Sequence, residues 1–132
     1  MYGLPVDFDP TPFVGRRLDR ICFAQSTIFF YFPKDLAKEE ILNGAASDEI
    51  TIALESSFLL QARPGDAGTK QTSPVTSAEV MRLIGKNVTA AKSKRDGTLT
   101  LTFEDGAILQ FLDESPQYES YQIWGEGIGA LV

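Results

Sequence analysis

The chain contains no histidine, which removes the usual general base, the Ser-His-Asp triad and imidazole metal ligation. It has a single cysteine, Cys22, so an internal disulfide, a CxxC redox pair and a cysteine zinc site are excluded as well. Cys22 lies in the apolar run Ile21-Cys22-Phe23-Ala24, which predicts a buried structural thiol rather than a nucleophile. No stretch approaches the ~18 apolar residues of a membrane span, and the first residues lack the basic and apolar regions of a signal peptide. A cytoplasmic protein of bacterial type, without membrane contact, is the expectation. The sequon Asn87-Val88-Thr89 matters only in a secretory setting.

Basic residues are scarce too. Twelve Lys and Arg against eighteen Asp and Glu give a net charge of −6, and such a surface repels nucleic-acid phosphates. From Asp96 to Val132 there is no Lys or Arg, while Asp96, Glu104, Asp105, Asp113, Glu114, Glu119 and Glu126 all fall there. Arg82, Lys86, Lys92, Lys94 and Arg95 come just before. The simplest outcome is solvated cross-strand pairing between the two blocks. The alternative is an acidic face for a basic protein partner.

What is present suits one domain: 132 residues with 43% hydrophobic and 23% charged residues can bury about two thirds of their extended surface around one core. Two halves look alike. Val14-Gly15-Arg16-Arg17-Leu18-Asp19-Arg20-Ile21 returns as Ile84-Gly85-Lys86-Asn87-Val88-Thr89-Ala90-Ala91, and each is followed by a strand-like run ending in Phe, 27–32 and 98–103. Two further β-rich runs follow in each half, 50–55 and 58–63, then 107–112 and 118–124. These matches suggest an internal duplication, 14–63 and 84–124, of a four-stranded antiparallel unit. The Gly/Pro/Ser/Thr-rich residues 63–75 read as the exposed loop joining the copies.

The second half has strict alternation, with Leu99, Leu101 and Phe103 against Thr98, Thr100 and Thr102. Asp-Gly turns flank that strand at Asp96-Gly97 and Asp105-Gly106, so a meander 88–93, 98–103, 107–112 is predicted. In 27–32 both faces are apolar, so that strand should be central and covered twice. Two short helices are candidates for the cover. One follows the capping box Thr76-Ser77-Ala78-Glu79 and ends near Gly85, and the other spans 35–42. If they leave one face open, a symmetric homodimer covers it. The expected fold class is α+β, mainly antiparallel β, as two similar four-stranded units of seven to eight strands with one or two short helices.

Candidate chemistry is thin. Asp113, Glu114 and Glu119 flank Ser115-Pro116-Gln117 in an apparent loop, where solvent leaves carboxyls ordinary rather than tuned for acid/base work. Gly65-Asp66-Ala67-Gly68-Thr69-Lys70 lacks the order of a phosphate loop, and Gly125-Glu126-Gly127-Ile128-Gly129 reads as a flexible exit. Arg16, Arg17 and Arg20 are expected to pair with Asp19 or the acidic second half. No catalytic residue, metal or cofactor is assigned. Tyr118, Glu119, Tyr121 and Trp124 remain as the binding candidates, because amphipathic rings are favoured at contact surfaces. The competing expectation is that these rings pack the core with their polar tips at its rim.

The strings Ile84-Gly85-Lys86-x-Val88-Thr89-Ala90-Ala91, Asp96-Gly97-Thr98-Leu99-Thr100-Leu101-x-Phe103-x-Asp105-Gly106 and Pro116-Gln117-Tyr118-Glu119-x-Tyr121 resemble a family of small bacterial proteins of unknown function. Tyr2-Gly3-Leu4-Pro5 and Val14-Gly15-Arg16 look similar as well, while Asp35 to Asp48 and the end after Gly127 depart from its pattern. The resemblance supports a mostly β fold and brings no catalytic residue with it. The functional expectation is a non-enzymatic protein-binding domain, immunity-like or regulatory. The alternative is a small-molecule binder or weak hydrolase with a pocket near Tyr118, Glu119, Tyr121 and Trp124.

Overall fold

A computed structural model describes residues 2–34, 48–71, 78–125 and 127–132. Among them lie ten strands in two five-stranded antiparallel sheets. The strands are β1 (Arg20–Phe23), β2 (Ile28–Pro33), β3 (Glu49–Leu54), β4 (Phe58–Gln61), β5 (Thr69–Gln71), β6 (Val88–Ser93), β7 (Leu99–Phe103), β8 (Ile108–Phe111), β9 (Tyr121–Gly125) and β10 (Ile128–Leu131). The first sheet runs β1-β2-β3-β9-β10 and the second β5-β4-β8-β7-β6. Period-two side-chain alternation sends one row of each strand inward. Ile28, Phe30 and Phe32 of β2 are buried, as are Leu99, Leu101 and Phe103 of β7.

The inward rows of the two sheets meet in one cluster. Phe30 of the first sheet packs edge-on against Phe111 of the second at 5.0 Å and against Phe58 at 6.2 Å. Tyr121 returns the contact to Phe111 at 5.9 Å. Each such pair adds geometric preference to the burial of two large rings.

The pairing registers of the two sheets correspond residue by residue. In the first, Phe30 faces Ile21 on one side and Ile52 on the other, and Ile52 faces Ile123. In the second, Leu101 faces Ala91 and Leu109, and Leu109 faces Leu60. The segments entering the sheets pair with each other around the bridge Arg17–Asn87. Gly15 N–H donates to the Val88 carbonyl at 2.8 Å and Gly85 N–H to the Leu18 carbonyl at 2.7 Å; Leu18 N–H reaches Lys86 O at 3.0 Å and Val88 N–H reaches Arg16 O at 2.8 Å. An offset of seventy positions turns each bond of the set into another. Both glycines hold positive φ, +86° and +91°, a conformation that costs any residue with a Cβ.

This correspondence exchanges strands. The first three strands of one half, β1-β2-β3, are completed by the final hairpin of the other, β9-β10, while β6-β7-β8 are completed by β4-β5. The expected four-stranded units are therefore replaced by two five-stranded sheets built from both halves. The extra strands come from a polar segment, Thr69-Lys70-Gln71, and from one that follows a glycine-rich turn, Ile128-Gly129-Ala130-Leu131. Thr69–Gln71, within the expected loop 63–75, forms exposed β5, and Ile128–Leu131, which overlaps the expected flexible exit 125–129, forms β10.

The helix expected to end near Gly85 is instead a 3-10 turn over Ala78–Leu83 that buries Val80 and Leu83. Two buried side chains on so short a stretch are served by a tight turn, and an α-helix of six residues gains little by itself. A second 3-10 turn, Thr11–Phe13, buries Phe13 against Phe32 at 5.3 Å. The other expected helix, 35–42, lies outside the described residues. The meander 88–112 forms as predicted, with the Asp105 carboxylate accepting from Ala107 N–H at 3.0 Å across the turn.

Candidate interaction surface

The four sequence-selected binding residues part company. Tyr121 is wholly buried, and its hydroxyl donates to the Gly97 carbonyl at 2.6 Å. Burial, helped by the Asp96 charge, pushes its phenol well above the ordinary value, so it stays a protonated donor. This ring packs the core, as the competing expectation had it. Trp124 lies on the same strand with opposite parity and is 46% exposed on the outer face of the first sheet. Tyr118, half-exposed, precedes β9 and lines a shallow cavity of about 210 Å³ with Ser26 and Glu55. Neither Tyr121 nor Trp124 lines that cavity, and Glu119 is half-buried in the same connection.

The carboxylates near them are held by structural partners. Asp113 accepts from Gly3 N–H at 2.8 Å and from the Ser120 hydroxyl at 2.6 Å. Glu114 accepts from the Ser57 hydroxyl at 2.8 Å and pairs with Lys70. The Lys70 ammonium, and after it the Ser57 hydroxyl, holds the Glu114 carboxyl below its usual range. Lys86, from the basic block, pairs with Asp105 and keeps that carboxyl low in the same way, with help from Ala107 N–H. Arg16 instead finds a first-half partner: it is buried and donates to Pro12 O at 2.8 Å, Asp48 O at 2.9 Å and the Asp48 carboxylate at 3.0 Å.

The outer face of the first sheet gathers large apolar side chains, of which Trp124 and Leu131 are exposed and Phe29 and Tyr31 half-buried. One row crosses Cys22, Phe29, Ala53, Gln122 and Leu131, and the next crosses Arg20, Tyr31, Thr51 and Trp124. Phe29 and Tyr31 stack at 6.4 Å and are half-buried, while Leu131 is 57% exposed. β2 is an interior strand, and the side chains of its second face, Phe29 and Tyr31, are half-buried, while the helix 35–42 expected to help cover that face lies outside the described residues. Cys22, expected to be buried, is exposed on this face because β1 is an edge strand whose outer row carries it. Arg20 lies 4.2 Å above the Tyr31 ring and pairs with Glu49 at 3.1 Å, so these two strand charges balance. The signal for Phe29 and Tyr31 was the two-sided apolar run 27–32. Leu131 gave none, because its strand follows a glycine-rich turn.

The matching rows of the second sheet read Lys92, Thr100, Gln110, Leu59 and Lys70, then Ala90, Thr102, Ile108 and Gln61. There Gln110 donates to the Thr100 hydroxyl at 3.0 Å, and the large apolar residues of these rows, Leu59 and Ile108, are half-buried where the first sheet has Gln122 and Thr51.

Two antiparallel sheets sharing a core, each finished by a hairpin from the other half, define an all-β architecture among the described residues, with no helix long and apolar enough to cross a membrane. Within that class the chain belongs to a family of unknown function, DUF6188, which residues 34–132 match. No curated protein and no solved structure matches the chain.

Proposed function

We propose that this protein is an interaction domain, acting through protein contact rather than catalysis, and that its contact surface is the outer face of the first sheet. The observation that carries this reading is the difference at matched positions: exposed Trp124 and Leu131 stand where the second sheet has Gln61 and Lys70, and Phe29 and Tyr31 where it has Thr100 and Thr102, whereas the reverse exchanges, Leu59 for Gln122 and Ile108 for Thr51, place only half-buried side chains on the second sheet. The framework tolerates polar residues at those positions, so the rings answer a demand other than folding. The partner surface is apolar and carries little charge, because among the described strand residues of this face the charged ones, Arg20 and Glu49, pair with each other. A basic partner has less support, since Asp96, Asp105, Asp113 and Glu114 sit in turns and are engaged locally. A small-ligand site has less still, with only Tyr118 of the four residues named above at the cavity beside Glu55. The matched registers also support our reading of one domain built from a repeated unit, with β5 and β10 belonging to the repeat.

Cys22 sits in the contact rows and is the chain's one thiol, so its alkylation rate reports on the face. Inside expressing cells the rate should fall well below that of dilute purified protein. The control is Cys22→Ser combined with Lys92→Cys, which moves the thiol to the matching place on the second sheet and should show no such protection. Equal rates for Cys22 in both settings would remove the proposal.

A further inference from the structure

We infer that the surface seated on the first sheet's outer face is that of a second copy of this chain, an inference that rests on the face being a contact surface at all. Charge favours a copy. A chain of net charge −6 repels itself unless its copies meet where little of that charge lies, and here Arg20 and Glu49 neutralise one another. Six of the chain's acidic residues, Asp96, Glu104, Asp105, Asp113, Glu114 and Glu119, lie instead in the turns and connections that follow β6, β7 and β8. Meeting sheet to sheet therefore keeps the two excess charges apart, where salt screens them.

Area points the same way. Large aromatic side chains bury about 150–250 Å² each when covered, so Trp124, Leu131, Phe29 and Tyr31 at their observed exposures offer roughly 300 Å² of apolar surface. A standard interface takes about 800 Å² from each partner, a little over half of it apolar. The patch supplies about two thirds of that apolar share, and in a two-fold arrangement both partners supply it at once. Such a contact belongs to the weak, exchanging class rather than the obligate one. Facing sheets pack about 10 Å apart with interdigitated side chains, and two copies of one twisted face have the same curvature to offer.

The test is mass against concentration. In sedimentation or light scattering, the average mass of the intact protein should climb from 14.5 kDa toward twice that value between micromolar and submillimolar concentration, with Cys22 alkylation slowing over the same range. Trp124→Gln with Leu131→Lys, which installs the second sheet's own residues, should hold the protein monomeric and restore fast alkylation. Their outward positions and the tolerance of the matched sheet keep this variant folded, which the dispersion of its amide NMR spectrum checks. If that pair were to misfold, Trp124→Gln alone serves and should weaken association at least tenfold. A wild type that stays monomeric while Cys22 is protected in cells overturns the second copy and leaves the contact surface standing. One that stays monomeric and unprotected overturns both. A dimer unaffected by the double substitution uses another surface and also overturns the inference.

Discussion

The two sheets share a register and differ in what they show to solvent. Inside, Phe30 matches Leu101, Ile52 matches Leu109 and Ile123 matches Leu60, and every one is buried. Outside, a tryptophan matches a glutamine and a leucine matches a lysine. The lesson is about where the fold exerts its constraint. Close packing of the shared core limits inward residues to apolar side chains of suitable volume. The outward rows are bounded only by strand propensity and solubility, so they are free to record function.

The sharpest way to break this division is to cross it on one strand. Leu101→Asp places an unpaired carboxylate in the core and should cost more than about 4 kcal/mol, enough to unfold the protein. Thr100→Asp, one residue away on the outer face, should cost no more than about 1 kcal/mol, mainly the contact with Gln110. Denaturant titration separates the two, and similar costs would mean that the inner and outer rows are wrongly assigned.

A smaller effect tests the halves against each other. Gly15→Ala and Gly85→Ala each force a Cβ into positive φ with open space around it, so each should cost about 1–2 kcal/mol from backbone strain alone. Because the two glycines make matching hydrogen bonds, their costs should agree within about 0.5 kcal/mol in urea melts. A clear disparity would show that the two entry segments bear unequal load.

The smallest effect concerns acid. Lys86, then Ala107 N–H, lowers the Asp105 carboxyl, so the folded form binds its proton less readily than the unfolded chain does. The resulting stability is present above the ordinary carboxyl value near pH 4 and is lost as pH falls through the lowered one. Lys86→Met should therefore flatten the decline in melting temperature between about pH 5 and pH 2. The change will be slight, because both groups are about a third exposed and solvent screens them. An unchanged pH profile would show that the pair adds nothing to folding.

Much of the fold could be read from local signals. The strict alternation of 98–103 and its Asp-Gly turns led to the right meander, because a hairpin is specified by residues adjacent in sequence. The repeat beginning at Val14-Gly15 and Ile84-Gly85 pointed to two segments that bond to each other, Gly15 to Val88 and Gly85 to Leu18. The exchange of final hairpins left no such trace. Which strand Leu54 pairs with is decided by the shared core, and Tyr121 wins over nearer candidates through contacts some seventy residues apart in sequence. The 3-10 turn at 78–83 carries a helical apolar pattern, so periodicity alone could not separate it from an α-helix. At the surface, strand parity on β9 separates exposed Trp124 from buried Tyr121. Grouping Trp124 with Phe29, Tyr31 and Leu131 required knowing that β9 lies between β3 and β10.

The exchanged hairpins also govern when the molecule can take shape during synthesis. Strand β3 is made early, yet its outer neighbour β9 is not translated until about seventy residues later, and the first sheet stands three strands wide until then. Hydrophobic Ile50, Ile52 and Leu54 must wait in a nascent chain whose completing strands are still inside the ribosome. Such long sequence separation slows folding and prolongs the exposure of unpaired strand edges. Residues 121–132 therefore act as the closing step of both the first sheet and the common core, long after β1, β2 and β3 have been made.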